Sequence, residues 1–166
     1  MTLLLEQIDE ETGAGELADM GSLNHGYLQL KIGACFLQLP HFTPSSELSL
    51  DLAALANTKL GDIPDSLKPD IAVYAEWPID FQNDVLKAEQ MPVLAIEILS
   101  PLQGVKLLVD KFKFYFALGI RSCWLVYPYA QAIAVYRTPN EFTLFAQGDL
   151  VDERVNVRIP LSQIFS

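Results

Sequence analysis

The spacing of apolar residues changes along the chain, and the changes mark its elements. From Ser22, a suitable N-cap, Leu23, Tyr27, Leu30, Ala34 and Leu37 recur at spacings of 4, 3, 4 and 3. That period predicts an amphipathic helix. Leu28, Ile32 and Cys35 add a second apolar row, so the helix is expected to be buried on more than one side, and Pro40 stops it. Residues 47–52 (ELSLDL) alternate polar and apolar, the period of a half-buried strand. The rest of 41–68, with its Asn, Gly and Pro-Asp pairs, reads as loop. Residues 69–77 and 92–101 each contain a short, almost wholly apolar, β-branched run, which suits strands covered on both faces. The stretch between them, 78–91, is a polar connection.

A second helix is predicted from about Gly104 to Leu118, ended by Gly119. The strand 123–127 (CWLVY) follows, then 132–137 and 141–147, joined as a hairpin by Thr138-Pro139-Asn140. The C-terminal 155–165 reads as a strand running into a short helical turn. This order predicts an α/β (α+β) core, a mixed central sheet flanked by helices. The passage from 95–99 through the second helix to 123–127 is a candidate right-handed βαβ unit.

Composition narrows the class. Of 166 residues, 51% are apolar and 19% charged, so the chain can build a sizeable core without disulfides or structural metal. One domain is expected over 21–166, preceded by an acidic, glycine-containing segment, 1–20, that is partly ordered at best. Eleven basic against 21 acidic residues leave a net charge of −10. That excludes a protein that coats DNA by electrostatics alone, though not a local basic cluster such as Lys106, Lys111, Lys113 and Arg121. Cys35 and Cys123 lie in apolar surroundings with no metal-binding spacing, which points to reduced thiols and a cytoplasmic protein. No signal peptide or membrane span is expected from the sequence.

Three residues carry the candidate chemistry. Pro69-Asp70 opens one strand, Glu97 lies within the next, and Lys111 follows fourteen residues later on the second helix. A carboxylate among Val, Leu, Ala and Ile is costly to bury unless it is paired or binds a metal. Two of them on neighbouring strands can hold one Mg²⁺ or Mn²⁺ together with water and phosphate oxygens. Lys111 shares a helical stripe with Leu107, Leu108, Phe112 and Tyr115, so its ammonium is expected to point to the sheet. Plainer readings stand beside these. Asp70 could be a strand-start residue, Lys111 a simple ion-pair partner of Glu97, and His25 a satisfied surface histidine. Glu16 could reach in as an additional acid or stay solvated. Phe112, Phe114, Tyr115 and Phe116 read as core.

At these residues the sequence resembles the Uma-family restriction endonucleases, bacterial members of the PD-(D/E)xK nuclease superfamily. The resemblance rests on Pro69-Asp70, PVLAIEILSP at 92–101, Lys111, Tyr115, Gly119-Ile120 and CWLVYP at 123–128. It implies a restriction-endonuclease-like fold and a divalent-metal-dependent endonuclease acting on DNA. Asp70, Glu97 and Lys111 would be catalytic, and the metal would bind at Asp70, Glu97 and Ile98. Leu99 stands where the superfamily signature has lysine, and the family moves that lysine to the helix, where Lys111 lies. His25 matches a histidine early in the family's first helix, and it joins Lys106 and Lys113 as an expected nucleic-acid contact. A homodimer is expected as well, because nucleases that cut duplexes often pair two sites. The alternatives are a member that keeps the fold without the chemistry, as a binding or regulatory module, and a structural oligomerisation domain.

Overall fold

The computed structural model describes residues 21–166. The N-terminal segment 1–20, and with it Glu16, lies outside the described residues. The first helix, α1, spans Leu23–Gln38, and the Ser22 side chain accepts a hydrogen bond from the His25 N–H, as an N-cap should. Strands β1 (Phe42–Ser46) and β2 (Ser49–Leu50) and a short 3₁₀ helix (Ala53–Asn57) follow. Then come β3 (Ile71–Ala75), β4 (Lys87–Ala88), β5 (Leu94–Ile98) and helix α2 (Val105–Ala117). The chain ends with β6 (Ser122–Tyr127), β7 (Ala132–Thr138), β8 (Glu141–Phe145), β9 (Asp149–Asp152), β10 (Val157–Pro160) and a helical turn, α3 (Leu161–Ile164).

The central sheet has six strands in the order β1-β3-β5-β6-β7-β8. Only β5 and β6 run parallel, with α2 as their crossover, while the other neighbours are antiparallel. Side chains alternate strictly between two covered faces. Ile71, Val73, Leu94, Ile96, Ile98, Trp124 and Val126 pack beneath Leu28, Ile32 and Phe36 of α1. On the other face Ala72, Ala95, Cys123, Leu125 and Ala134 lie with Leu108, Phe112 and Tyr115 of α2. Small sheet residues leave room there for two large rings, which keeps α2 close enough to reach the strands with polar groups. At the rear of the sheet Asp152, 2% exposed, accepts hydrogen bonds from Ser122 Oγ and Trp124 Nε1, tying the β9–β10 hairpin to β6.

Three local expectations change. The row Leu23, Tyr27, Leu30, Ala34, Leu37 faces outward, with Leu23, Leu30 and Leu37 all more than 70% exposed. The row carrying Leu28, Ile32 and Phe36 is the buried one; both rows satisfy helical periodicity, and only packing chooses between them. The strand expected at 47–52 shrinks to Ser49–Leu50, and Phe42–Ser46, expected as loop, is an edge strand of the main sheet. An edge position tolerates Pro44 and polar neighbours because one side of the ladder needs no partner. Leu107 is 55% exposed, so the buried stripe of α2 is Leu108, Phe112 and Tyr115. Among the described residues no helix is long and apolar enough to cross a membrane.

Candidate active site

The antiparallel register of β3 on β5 pairs Ile71 with Ile96 and Ala72 with Ala95. One step further in that register sets Asp70 opposite Glu97. Residues directly opposite share a face of the sheet, so both carboxylates turn to the side covered by α2. A backbone bond fixes the first of them: the Ile98 N–H donates to Asp70 Oδ2 at 2.7 Å. From the N-terminal end of α1, His25 Nε2 lies 3.1 Å from the same oxygen. One turn later the Gln29 amide donates to the Asp70 backbone carbonyl at 2.7 Å. Asp70 is thus clamped by β5 and α1 together.

Glu97 is the most deeply buried acid of the site, 2% exposed. The Tyr115 hydroxyl donates to its Oε1 at 2.5 Å, and Lys111 Nζ lies 3.5 Å from that oxygen. Burial, and then the negative charge of Asp70, push the Glu97 carboxyl up to about 7, with Lys111 and Tyr115 pulling the other way. His25 is raised from its ordinary value by its bond to Asp70, against the opposing effect of burial. Tyr115 is raised well above the usual phenol range by burial and by Glu97, so it remains a donor.

These contacts engage one oxygen of each carboxylate. Among the described residues nothing bonds to Asp70 Oδ1 or Glu97 Oε2. Hard oxygen donors from two acids suit Mg²⁺ or Mn²⁺. In an extended strand the N–H and C=O of one residue leave by the same edge, so the Ile98 carbonyl shares the edge whose N–H meets Asp70. Among the described residues no three His, Cys, Asp or Glu side chains converge as a ready-made metal cluster. The oxygen donors that face the cleft here are two carboxylates and one carbonyl.

Asp70, Glu97 and Lys111 open into one cleft of about 510 Å³, whose wall also carries His25, Gln29, Glu47, Lys68, Ser100 and Gln103. Three acids, two lysines and one histidine give this cleft a near balance of charge in a chain of net −10.

A family model described as "Putative restriction endonuclease", Uma2, matches residues 7–157. The chain belongs to the Uma2 family. No curated protein matches it. Among solved structures, it is similar to the crystal structure of a "putative nuclease belonging to DUF820" from Anabaena variabilis ATCC 29413. The TM-score is 0.67 at 20% identity, covering 88% of this chain and 82% of that one, which establishes a shared fold.

In this Uma2 chain the structure brings Asp70, Glu97, Ile98, Lys111 and His25 to one place. It does not bring in Lys106, which is 85% exposed and paired with Asp110 at 2.7 Å. Lys113 Nζ stands 5.1 Å from the centre of the Phe114 ring and is not in the cleft wall either. The second lysine of the cleft is Lys68, directly before Pro69-Asp70. Lys68, Gln29 and Gln103 are ordinary polar residues of loop or helix and carry no signal in the sequence. Tyr115 read as core, and it is core, but its hydroxyl belongs to the site.

Proposed function

We propose that the chain is a divalent-metal-dependent endonuclease that hydrolyses phosphodiester bonds in DNA. One observation carries this reading: two carboxylates of opposed strands share a cleft, each held by one oxygen, with a lysine at the buried acid. Asp70, Glu97 and the Ile98 carbonyl would hold Mg²⁺ or Mn²⁺. Such an ion, when bound, supplies Lewis acidity and lowers the pKa of a coordinated water.

The protein's own groups do the rest. His25 and the Ile98 N–H fix the Asp70 carboxylate, and Tyr115 fixes Glu97, so neither acid must reorganise when substrate arrives. Lys111 is one-third exposed and 3.5 Å from Glu97, a loose contact that leaves its ammonium available to a phosphate oxygen. Lys68 offers a second cation to the backbone of the nucleic acid. A binding module on the same fold is the second reading, because among the described residues no three His, Cys, Asp or Glu side chains are arranged to hold a metal ion. We place the protein in the cytoplasm, consistent with the free thiols of Cys35 and Cys123. We also propose a homodimer, through the outward row of α1 at the 4-3 spacing by which helices pair with copies of themselves.

The test is nicking of a supercoiled plasmid in Mg²⁺ and in Mn²⁺, with Asp70→Asn and Glu97→Gln beside the native protein. Expected is metal-dependent cleavage that falls by about 10²-fold or more in either variant, with Mn²⁺ binding weakened in calorimetry. Native protein that binds Mn²⁺ and DNA without cutting would favour the binding module.

A further inference from the structure

The cleft does not end at Gln103. Ser22, Ser100 and Gln103 also line a second cavity of about 400 Å³, whose remaining walls are Asn24, Leu99, Pro101, Pro128 and Tyr129. Its position follows from the topology. The parallel strands β5 and β6 finish side by side, at Ile98 and Tyr127, and the segments that leave them, 99–101 and 128–129, form two of its sides. The start of α1 closes the third. Open α/β sheets take ligands in the crevice outside the carboxyl ends of parallel strands, and the single parallel pair here offers the same position.

The chemistry of the walls is specific. Tyr129 is fully exposed, a large ring with no structural use for its faces. Leu99, Pro101 and Pro128 add apolar surface, and two carboxamides, Asn24 and Gln103, add donors and acceptors. Gln103 spends its Oε1 on the Ser100 N–H at 3.4 Å, which orients the amide nitrogen for another partner. A flat aromatic group with polar edges fits such a slot.

We propose that this cavity is a nucleobase subsite, in which a base of the substrate stacks on Tyr129 and meets Asn24 and Gln103 by its edge. This rests on the phosphodiesterase reading of the adjoining cleft, and it adds the substrate class. A base inside a duplex has both faces covered by its neighbours, so the base that enters is an unstacked base of a single strand. Ser22, Ser100 and Gln103, common to both cavities, place its phosphate towards Asp70 and Glu97.

The experiment compares native protein, Tyr129→Ala and Tyr129→Phe on a short fluorescein-labelled oligothymidylate, single-stranded and annealed to its complement. Binding is read by anisotropy in the Glu97→Gln background with Mg²⁺, and cleavage is read as KM and kcat. Expected for Tyr129→Ala is a Kd and KM for the single strand raised by about 5- to 100-fold, with kcat and duplex affinity unchanged; Tyr129→Phe should behave as native. Equal affinity of Tyr129→Ala and native protein for the single strand overturns the subsite, as does an equal loss on both substrates. Tyr129-dependent binding without cleavage in any metal would keep the subsite and remove the nuclease reading. A native protein that neither binds nor cuts either strand removes both.

Discussion

Lys111 shows how much a single side chain depends on its surroundings. Its stem lies along the buried stripe of α2 between Leu108 and Tyr115, and its ammonium ends 3.5 Å from a carboxylate that is 2% exposed. If the lysine served Glu97 alone, removing it would leave a buried acid uncompensated, at about 3–5 kcal/mol. Tyr115, however, already donates to the same oxygen at 2.5 Å, and the ammonium is one-third in water. Lys111→Met keeps the stem and removes the charge. We expect its unfolding free energy, read from a urea melt, to stay within about 1 kcal/mol of native, in line with a partly exposed pair. Plasmid cleavage should drop roughly 10²-fold. A large loss of stability with native cleavage would make the lysine a structural partner instead.

At the scale of the element, the end of α2 decides where Tyr115 stands. Gly119 has φ +90°, a left-handed conformation that a residue with Cβ rarely adopts. It lets the Ile120 N–H reach back to the Tyr115 carbonyl at 3.1 Å and the Gly119 N–H to Phe116 at 3.0 Å. This is a Schellman closure, secured by the buried Ile120. Nothing crowds a Cβ at position 119, so the cost of Gly119→Ala is conformational. It should destabilise the protein by about 1–2 kcal/mol, read as a lower urea midpoint with unchanged slope. If instead the variant melts as native, the turn is not what holds this end of the helix.

For the whole molecule, the outward row of α1 is the feature a monomer has least reason to keep. Leu23, Tyr27, Leu30, Ala34 and Leu37 run along one exposed edge, while the opposite row fills the core. Because His25 and Gln29 lie on the same helix, pairing through this edge would bring two clefts near one another. Sedimentation equilibrium at micromolar concentration should give twice the 18.5 kDa chain mass, and Leu30→Glu should return it to the chain mass without loss of fold. A native protein that sediments at 18.5 kDa removes the dimer.

The two long helices, the strands β3, β5, β6, β7 and β8, the parallel β5-α2-β6 crossover and the placing of Asp70 and Glu97 on adjacent strands were legible in the sequence. Local periodicity and the cost of burying a charge leave few alternatives there. The edge strand Phe42–Ser46 was not, since a polar edge needs no apolar pattern. Nor was the buried row of α1, because two apolar rows of one helix are equivalent until a sheet is laid against one of them. The site shows the same division. Acids in apolar strands announce themselves, whereas Gln29, Lys68 and Gln103 are ordinary polar residues until long-range packing gathers them around one cleft. Sequence determined which groups are costly enough to need a purpose; tertiary structure alone decided which neighbours share it, because those neighbours lie far apart along the chain.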